Sequence, residues 1–262
     1  WRSMRPGQWL KNLLAYAPLL FSAGSAWDPA DGAEAAHLLL RATLAVVVLC
    51  LAASGGYLLN DVHDADADRL HPAKRLRPVA AGLLPVDGAI SAGVGLTFAA
   101  LGIATFVNGA LFAALAAYVV LTLVYSFALR GLVVADVAAV AVGFALRIVV
   151  GATAIAVPVS GWIVLCTALG AAYVVLVKRM QERLLLHEEA EAHRPAQRVY
   201  GERGAARAAA YVGTVTVIAY AAYALTASNL PSNHAMAVTA PLVAAGLARY
   251  WVAARRNATL MS

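Results

Sequence analysis

The chain has 262 residues, of which 62% are hydrophobic and 13% charged, and its formal net charge is +6. This composition excludes an ordinary soluble domain, and repeated apolar runs of bilayer length predict a polytopic membrane protein. Because the basic excess falls between those runs, where it orients a membrane protein, the charge gives no reason to expect a nucleic-acid partner.

Eight membrane-spanning helices are predicted, because each apolar run can supply the roughly 20 residues that a helix needs to cross. They lie near residues 9–26, 37–59, 86–107, 110–128, 133–157, 160–177, 207–228 and 235–252. Basic residues concentrate at both chain ends and in alternate loops, above all near 60–85 and 178–206. By the positive-inside rule, these parts face the cytoplasm of a multi-pass protein of the inner (plasma) membrane. Residues 1–262 are expected to form a single domain.

The first predicted span opens on a polar stretch. Gln8, Lys11 and Asn12 share a helical face at i, i+3 and i+4, so a polar patch enters the membrane there. One interpretation of Lys11 is a lysine that merely extends its ammonium group to the membrane interface.

The densest block of charge follows the second predicted span. On a helix, Asp61, Asp64 and Asp68 project from one face at i, i+3 and i+7. Asn60 lies beside them, whereas Asp66 points elsewhere. Converging carboxylates repel one another unless a cation lies between them, and hard oxygen ligands suit Mg²⁺ that carries a substrate phosphate. These four clustered side chains are candidate magnesium ligands; the alternative is a solvated interfacial loop.

The sign of the charge inverts directly downstream, in a basic stretch between Arg69 and Arg77. A diphosphate bridged to a protein by a metal ion needs carboxylates for the metal and neighbouring basic side chains for its phosphate oxygens. Lys74 and Arg77 are therefore candidate phosphate ligands. One turn before the aspartates, Tyr57 can donate a hydrogen bond to a phosphate or support Asn60.

The fourth and fifth spans add further polar groups. Tyr125 ends the fourth span on the side of the aspartates. Asp136 and Arg147 fall within the fifth, where charged groups at membrane depth usually face a cavity or a partner. Asp136 is expected to pair with a charge on a neighbouring helix. Arg147 either does the same or reaches an anionic substrate from the cavity wall.

The sixth span runs into the stretch Lys178-Arg-Met-Gln-Glu182, in which Lys178 and Glu182 share one helical face. The glutamates and histidines of the loop beyond it allow two interpretations, a metal cluster and a solvated helix face. Their spacing suits the solvated face better. They are His187, Glu188, Glu189, Glu191 and His193.

Four stretches resemble one branch of the UbiA superfamily of intramembrane prenyltransferases. Residues 60–68, Asn-Asp-x-x-Asp-x-x-x-Asp, are similar to the superfamily's first aspartate motif. Residues 5–12, 71–82 and 136–147 narrow the resemblance to the branch represented by decaprenyl-phosphate phosphoribosyltransferase. The resemblance implies an all-helical transmembrane bundle with nine helices as the typical number, which leaves room for a ninth span beyond Ser262.

The resemblance also implies a magnesium-dependent enzyme that transfers a 5-phosphoribosyl group from phosphoribosyl diphosphate to a polyprenyl phosphate. The acceptor would be decaprenyl phosphate, with diphosphate as the leaving group and cell-wall arabinan precursors as the destination. Asp61, Asp64 and Asp68 would hold Mg²⁺ against that diphosphate. Lys11 becomes a candidate phosphate ligand by the same resemblance.

The chain departs from the superfamily at one place. Most members carry a second aspartate-rich motif where this chain has Lys178 to Glu182, and the change favours phosphate binding over cation binding. Lys178 is therefore a candidate catalytic residue that clamps phosphate oxygens, with Glu182 as a substrate-site residue beside it. The alternatives are prenyl transfer from a polyprenyl diphosphate to an aromatic acceptor and, from another class of protein, an anion transporter.

Overall fold

The computed structural model describes residues 2–129, 132–186, 204–227, 230 and 234–261. Over these residues the chain is almost entirely helical, which confirms the predicted all-helical class. The one extended pairing among them is an isolated bridge between Ala23 and Trp27. The loop predicted near 178–206 falls partly on residues 187–203, which lie outside the described residues. The candidate cluster His187, Glu188, Glu189, Glu191 and His193 falls in that part.

Nearly all the elements in the described part of the chain are helices. The α-helices are α1 (Ala17–Phe21), α2 (Gly32–His63), α3 (Ala65–Leu70), α4 (Val86–Val107), α5 (Gly109–Val124), α6 (Val133–Ala154), α7 (Gly161–Leu186), α8 (Gly204–Thr226) and α9 (Ala240–Met261). The 3₁₀ helices are Arg2–Met4, Pro6–Tyr16, Lys74–Leu76 and Ala235–Thr239, and Tyr125–Leu129 forms a π-helical turn.

Seven helices in the described part of the chain are long and apolar enough to cross a membrane. The predicted span 86–107 coincides with α4. The second predicted span, 37–59, lies within α2, which has 32 residues and extends beyond the prediction at both ends. The first span differs from its prediction. Residues 6–16 form a 3₁₀ helix that passes into the short α1, rather than one α-helix over 9–26. A 3₁₀ helix rises about 2.0 Å per residue against about 1.5 Å for an α-helix, so fewer residues cover the same distance.

The chain divides into two compact units. The first unit consists of residues 1–126 and 146–159, and its core is built from α2, α4, α5 and the end of α6 around Leu49, Leu111 and Leu115. Within it, α2 and α4 approach closely: a Cβ atom added at Gly55 would lie 2.6 Å from the carbonyl oxygen of Gly93. Small residues at such a crossing let membrane helices pack backbone to backbone.

The second unit consists of residues 127–145 and 160–262. Its core gathers side chains of α7, α8 and α9 around Tyr173. The Tyr173 hydroxyl donates to the carbonyl oxygen of Leu247 at 2.7 Å, and a Cβ atom added at Gly213 would lie 2.8 Å from the tyrosine ring. Tyr173 of α7 therefore contacts both α8 and α9.

Side-chain caps fix two helix starts in the first unit. Asp31 accepts hydrogen bonds from the backbone N–H groups of Ala33 and Glu34 at the start of α2. Asn108 does the same for Leu111 at the start of α5, at 2.7 Å. Such caps satisfy N–H groups that have no partner inside the helix.

Candidate functional site

The aspartates predicted as metal ligands lie where α2 ends. The helix stops at His63, Asp64 follows it, and α3 begins at Ala65. The backbone N–H groups of Asp64 and Asp68 still bond to carbonyls four residues earlier, at 2.9 and 2.8 Å, so helical spacing continues through the break. Asp61 and Asp68 are 2% and 3% exposed. The interruption therefore leaves both carboxylates buried.

Two arginines neutralise these buried carboxylates. Nη1 of Arg77 lies 2.6 Å from Oδ2 of Asp68 and 3.5 Å from Oδ1 of Asp61. Arg5 donates from Nη2 to the same Oδ1 of Asp61. We call these four residues the Asp61 cluster. Both arginine side chains are more exposed than the carboxylates they pair with, at 29% and 25%. The cations are thus the accessible half of the cluster.

Arg5 is a site residue that the sequence analysis did not identify, although it begins the stretch 5–12 that resembles the family. It precedes Pro6, and its backbone adopts the left-handed region with φ 52°. That conformation is uncommon for a residue with a side chain. Its guanidinium carbon lies 5.0 Å from the ring centroid of Tyr57, a cation–π distance. Tyr57 therefore supports Arg5 at the cluster. The signal available in the sequence was an arginine, Arg5, directly before Pro6 and close to the start of the first predicted span.

Asn60 and Asp64 form a second pair next to the cluster. Nδ2 of Asn60 donates to Oδ2 of Asp64 at 3.0 Å. Asp66 points away from all of these groups and pairs with Arg69 at 2.5 Å. Asp66 therefore lies outside the Asp61 cluster.

The acidic residues present fit a cation, although in the described part of the chain no three acidic, histidine or cysteine side chains are gathered as a ready-made metal site. A charged nitrogen of Arg77 already lies between the carboxylates of Asp61 and Asp68. A positive charge is therefore accommodated at that point, and carboxylate oxygens are ligands that Mg²⁺ prefers. A divalent cation would replace the guanidinium rather than enter beside it.

The basic loop folds back onto the cluster. Lys74 lies exposed in a 3₁₀ turn, and the N–H of Arg77 bonds to its carbonyl at 2.9 Å. Val79 is buried, and Gly82 adopts φ 72°, a left-handed conformation that glycine accepts without strain. The loop thereby brings Arg77 back to carboxylates nine or more residues earlier in the chain.

Arg147 is buried in a polar network in the first unit. Its Nε donates to Oδ1 of Asn12 and its Nη2 to the hydroxyl of Tyr118, both at 3.0 Å. Nδ2 of Asn12 in turn donates to the sulfur of Cys50 at 3.3 Å. Lys11, next to Asn12, is half-buried. The structure therefore engages Arg147 with protein groups, and Tyr118 is a partner that the sequence analysis did not identify.

The second unit holds a different ionic group. Arg179 lies 2.7 Å from Oδ2 of Asp136 and 2.9 Å from Oε2 of Glu182, and only 13% of its side chain is exposed. We call these three residues the Arg179 cluster. Asp136 thus has the helix-to-helix partner expected from the sequence. Lys178 lies exposed on α7, and Tyr125 is half-buried in its π-helical turn.

Comparison with known proteins places these sites in context. Residues 15–260 match the model of the UbiA prenyltransferase family. Decaprenyl-phosphate phosphoribosyltransferase of Mycolicibacterium smegmatis is 37% identical over 183 residues, 69% of this chain and 56% of the relative. The Corynebacterium glutamicum protein of the same name is 35% identical over 189 residues, 71% of this chain and 55% of the relative. The matched region therefore spans little more than half the length of these relatives.

A solved structure shows the same fold. The UbiA homolog from Archaeoglobus fulgidus bound to GPP and Mg²⁺ superimposes with a TM-score of 0.76 at 22% identity, over 96% of this chain and 85% of that one. The two proteins therefore share a fold.

Proposed function

The chain belongs to the UbiA prenyltransferase family, and from that membership we propose that it transfers a 5-phosphoribosyl group from phosphoribosyl diphosphate to a polyprenyl phosphate, releasing diphosphate. The observation that carries the proposal is the Asp61 cluster, in which two buried carboxylates are neutralised by two accessible arginines. At such a site a metal ion would take the place of the two arginines at the carboxylates. The arginines would then be available to bind phosphate oxygens. The names of the mycobacterial and corynebacterial relatives contain decaprenyl phosphate and the phosphoribosyl group, which supports this choice of acceptor and transferred group.

Asp61, Asp64, Asp68 and Asn60 would hold Mg²⁺. When bound, that ion supplies neutralisation of the charge that develops on the leaving diphosphate. Arg77 and Arg5 would contact phosphate oxygens of both substrates, those of the donor diphosphate and that of the acceptor phosphate. Lys74, exposed on the loop that carries Arg77, adds a further phosphate contact.

The acceptor needs little chemical activation. A polyprenyl phosphate oxygen is already anionic at neutral pH, so its attack on the anomeric carbon requires no strong general base. The new bond joins that oxygen to the anomeric carbon as the bond to diphosphate breaks, so the reaction consumes no further reactant. Alignment of two anionic substrates among arginines and lysines is the main contribution of the protein.

The Arg179 cluster favours this reaction over its closest rival. Transfer of a prenyl group from its diphosphate to an aromatic acceptor would use a second acidic motif on α7. On α7, Glu182 is paired with Arg179, which also pairs with Asp136 of α6. The exposed Lys178 is a candidate ligand for a phosphate of either substrate.

The site is proposed to face the cytoplasm, because the basic residues of the chain concentrate on that side by the positive-inside rule. Phosphoribosyl diphosphate is a soluble, highly charged donor, so a site on the cytoplasmic side gives it direct access. The destination of the lipid product is proposed to be cell-wall arabinan synthesis.

A direct assay tests the proposal. Purified protein in detergent is incubated with Mg²⁺, decaprenyl phosphate and radiolabelled phosphoribosyl diphosphate, and the lipid phase is counted, with EDTA added to a parallel sample. Metal-dependent label in the lipid is the expected result. Transfer of a prenyl group from a polyprenyl diphosphate to an aromatic acid, without any transfer of phosphoribose, would replace the proposal with the rival reaction.

A further inference from the structure

An apolar groove lies beside the Asp61 cluster in the first unit. It has a volume of about 610 Å³ and is bounded by the N-terminal 3₁₀ turn, the end of α2, the loop that follows α3, and α4. Its walls include Met4, Leu58, Pro78, Leu84, Gly95 and Leu96. We call it the α2–α4 groove.

The lining chemistry suits a hydrocarbon chain. Ser3 contributes the one polar side chain among the lining residues that the structure describes, and the rest are aliphatic residues, methionine, proline, alanine and glycine. Leu83 at the rim is 77% exposed. The groove also lies along α4, which is apolar enough to span a membrane. Aliphatic surface left open on such a helix is surface that lipid chains can cover.

The groove and the Asp61 cluster share the same three chain segments. Met4 directly precedes Arg5, Pro78 directly follows Arg77, and Leu58 lies one helical turn before Asp61. A hydrocarbon-lined groove thus borders two partly exposed guanidinium groups. This combination is complementary to an amphiphile that has an anionic phosphate at one end and an apolar chain at the other.

We propose that the α2–α4 groove binds the first isoprenoid units of the acceptor polyprenyl phosphate, with the phosphate directed toward Arg5 and Arg77. This assignment rests on the proposed function, because it takes the acceptor from that reaction. The volume of the groove lies within the range of about 300–1,000 Å³ typical of pockets for small ligands. The groove therefore holds only the part of the tail next to the phosphate, and the remainder extends into the bilayer.

A glycine on α4 makes the groove open to a sharp test. Gly95 lines the groove, and a Cβ atom added there would meet no other atom within 4 Å. Gly95→Leu can therefore fill the groove without disturbing the backbone. Gly102 offers a matched control, because it lies two turns further along the same helical face, is not a lining residue, and also has no atom within 4 Å of an added Cβ. Both changes replace glycine by a better helix former.

The first measurement is photolabelling of the purified protein by decaprenyl phosphate that carries a diazirine in its first isoprene unit. Labelled peptides are identified by mass spectrometry. Label on residues 83–96 of the wild type, lost in Gly95→Leu and kept in Gly102→Leu, is the expected result. Label confined to other helices would overturn the proposal.

The second measurement is the kinetics of phosphoribosyl transfer. Gly95→Leu should lower kcat/KM for decaprenyl phosphate by about tenfold, an effect of the size expected when a hydrophobic pocket no longer accepts its ligand. The KM for phosphoribosyl diphosphate should stay at the wild-type value, and Gly102→Leu should behave as wild type. Equal kinetics in both variants and the wild type would contradict the assignment.

The two measurements separate this proposal from the proposed function. Wild-type protein that transfers phosphoribose but carries no label in the groove overturns the groove assignment alone. Wild-type protein that is labelled in the groove but transfers no phosphoribose sustains the groove as a lipid-phosphate site and overturns the donor. Labelling by a diazirine phosphatidylglycerol that excess decaprenyl phosphate does not reduce would assign the groove to a bulk membrane lipid and overturn the proposal.

Discussion

The Asp61 cluster and the Arg179 cluster both consist of arginine–carboxylate ion pairs, but they differ in how exposed the arginine is. In the Asp61 cluster, two buried carboxylates are neutralised by arginines whose side chains are 29% and 25% exposed. In the Arg179 cluster, one arginine, 13% exposed, is held between two carboxylates. We expect the more accessible cations of the first cluster to exchange with another cation more readily than the enclosed cation of the second.

This difference teaches that a buried carboxylate is a candidate metal ligand only when its counter-ion can be exchanged. Asp61 and Asp136 are equally buried, at 2% and 3% exposed, and both lie on apolar helices. Burial alone does not separate them. The difference between them is the exposure of their arginine partners, which is higher for Arg5 and Arg77 at Asp61 than for Arg179 at Asp136.

The largest expected effect comes from Asp61→Asn, which keeps the shape of the side chain and removes its charge. We expect kcat/KM to fall about a thousandfold, because charge stabilisation at the leaving group typically contributes factors of about 10²–10³ and a metal ligand is lost as well. Asp66→Asn is the matched control, since Asp66 lies five residues away with its side chain 94% exposed. Equal activity in the two variants would mean that the Asp61 cluster is structural, like its counterpart.

A second test breaks the Arg179 cluster. Arg179→Met leaves Asp136 buried without its guanidinium partner and should lower the free energy of unfolding by about 3–5 kcal/mol. Arg77→Met should cost less stability, because the Arg77 side chain is more exposed, and should lose activity instead. Denaturation in mixed micelles, followed by tryptophan fluorescence, measures the first quantity.

The control for Arg179→Met is the double variant that also carries Asp136→Leu. Replacing a buried ion pair by apolar side chains is often neutral, so this variant should regain most of the lost stability. A double variant as unstable as Arg179→Met alone would show that the contribution of Arg179 lies outside its pair with Asp136.

The sequence allowed much of this to be predicted, for identifiable reasons. Helical spans follow from the length of the apolar runs, and the acidic and basic blocks follow from local charge. The pairing of Asp61 and Asp68 with one guanidinium did not follow, because it requires the loop after α3 to turn back through the 3₁₀ turn Lys74–Leu76 that precedes Arg77. Helical periodicity relates only residues within one element.

The position of Arg5 could not be predicted either. Its contact with Asp61 spans 56 residues of sequence and depends on a 3₁₀ helix in place of the expected α-helix. The apolar pattern of residues 9–26 is compatible with both helix types. Which one forms is decided by packing, since Asn12 and Ala15 are buried against other parts of the first unit.

A third test concerns how the 3₁₀ helix that follows Arg5 is held. A Cβ atom added at Gly151 would collide with the backbone of Ala15. Gly151→Ala should therefore cost about 1–3 kcal/mol of stability, as overpacking in well-packed cores does. The control is Gly170→Ala in α7, where an added Cβ meets nothing within 4 Å. Thermal unfolding of the two variants measures the difference, and equal melting temperatures would show that the 3₁₀ helix is not held at Ala15.

The smallest expected effect tests most directly whether a metal ion exchanges with Arg5 at Asp61. If Arg5 occupies Asp61 until a metal arrives, then Arg5→Gln removes a competitor, and Mn²⁺ should bind about fivefold more tightly, since a partly exposed ion pair is worth at most ~1 kcal/mol. Electron paramagnetic resonance of the purified protein measures free and bound Mn²⁺ without any turnover. Arg2→Gln is the control, because Arg2 lies exposed on the same N-terminal segment.

The same variant should bind its diphosphate substrate more weakly, because the released guanidinium is the group proposed to contact it. Tighter metal binding together with a raised KM for phosphoribosyl diphosphate is therefore the signature of an arginine that serves two anions in turn. An arginine that only supported the fold would change neither value in that combination. Weaker Mn²⁺ binding in Arg5→Gln would show that Arg5 organises the carboxylates for the metal instead of competing with it, and the contrast with the enclosed Arg179 would then lose its basis.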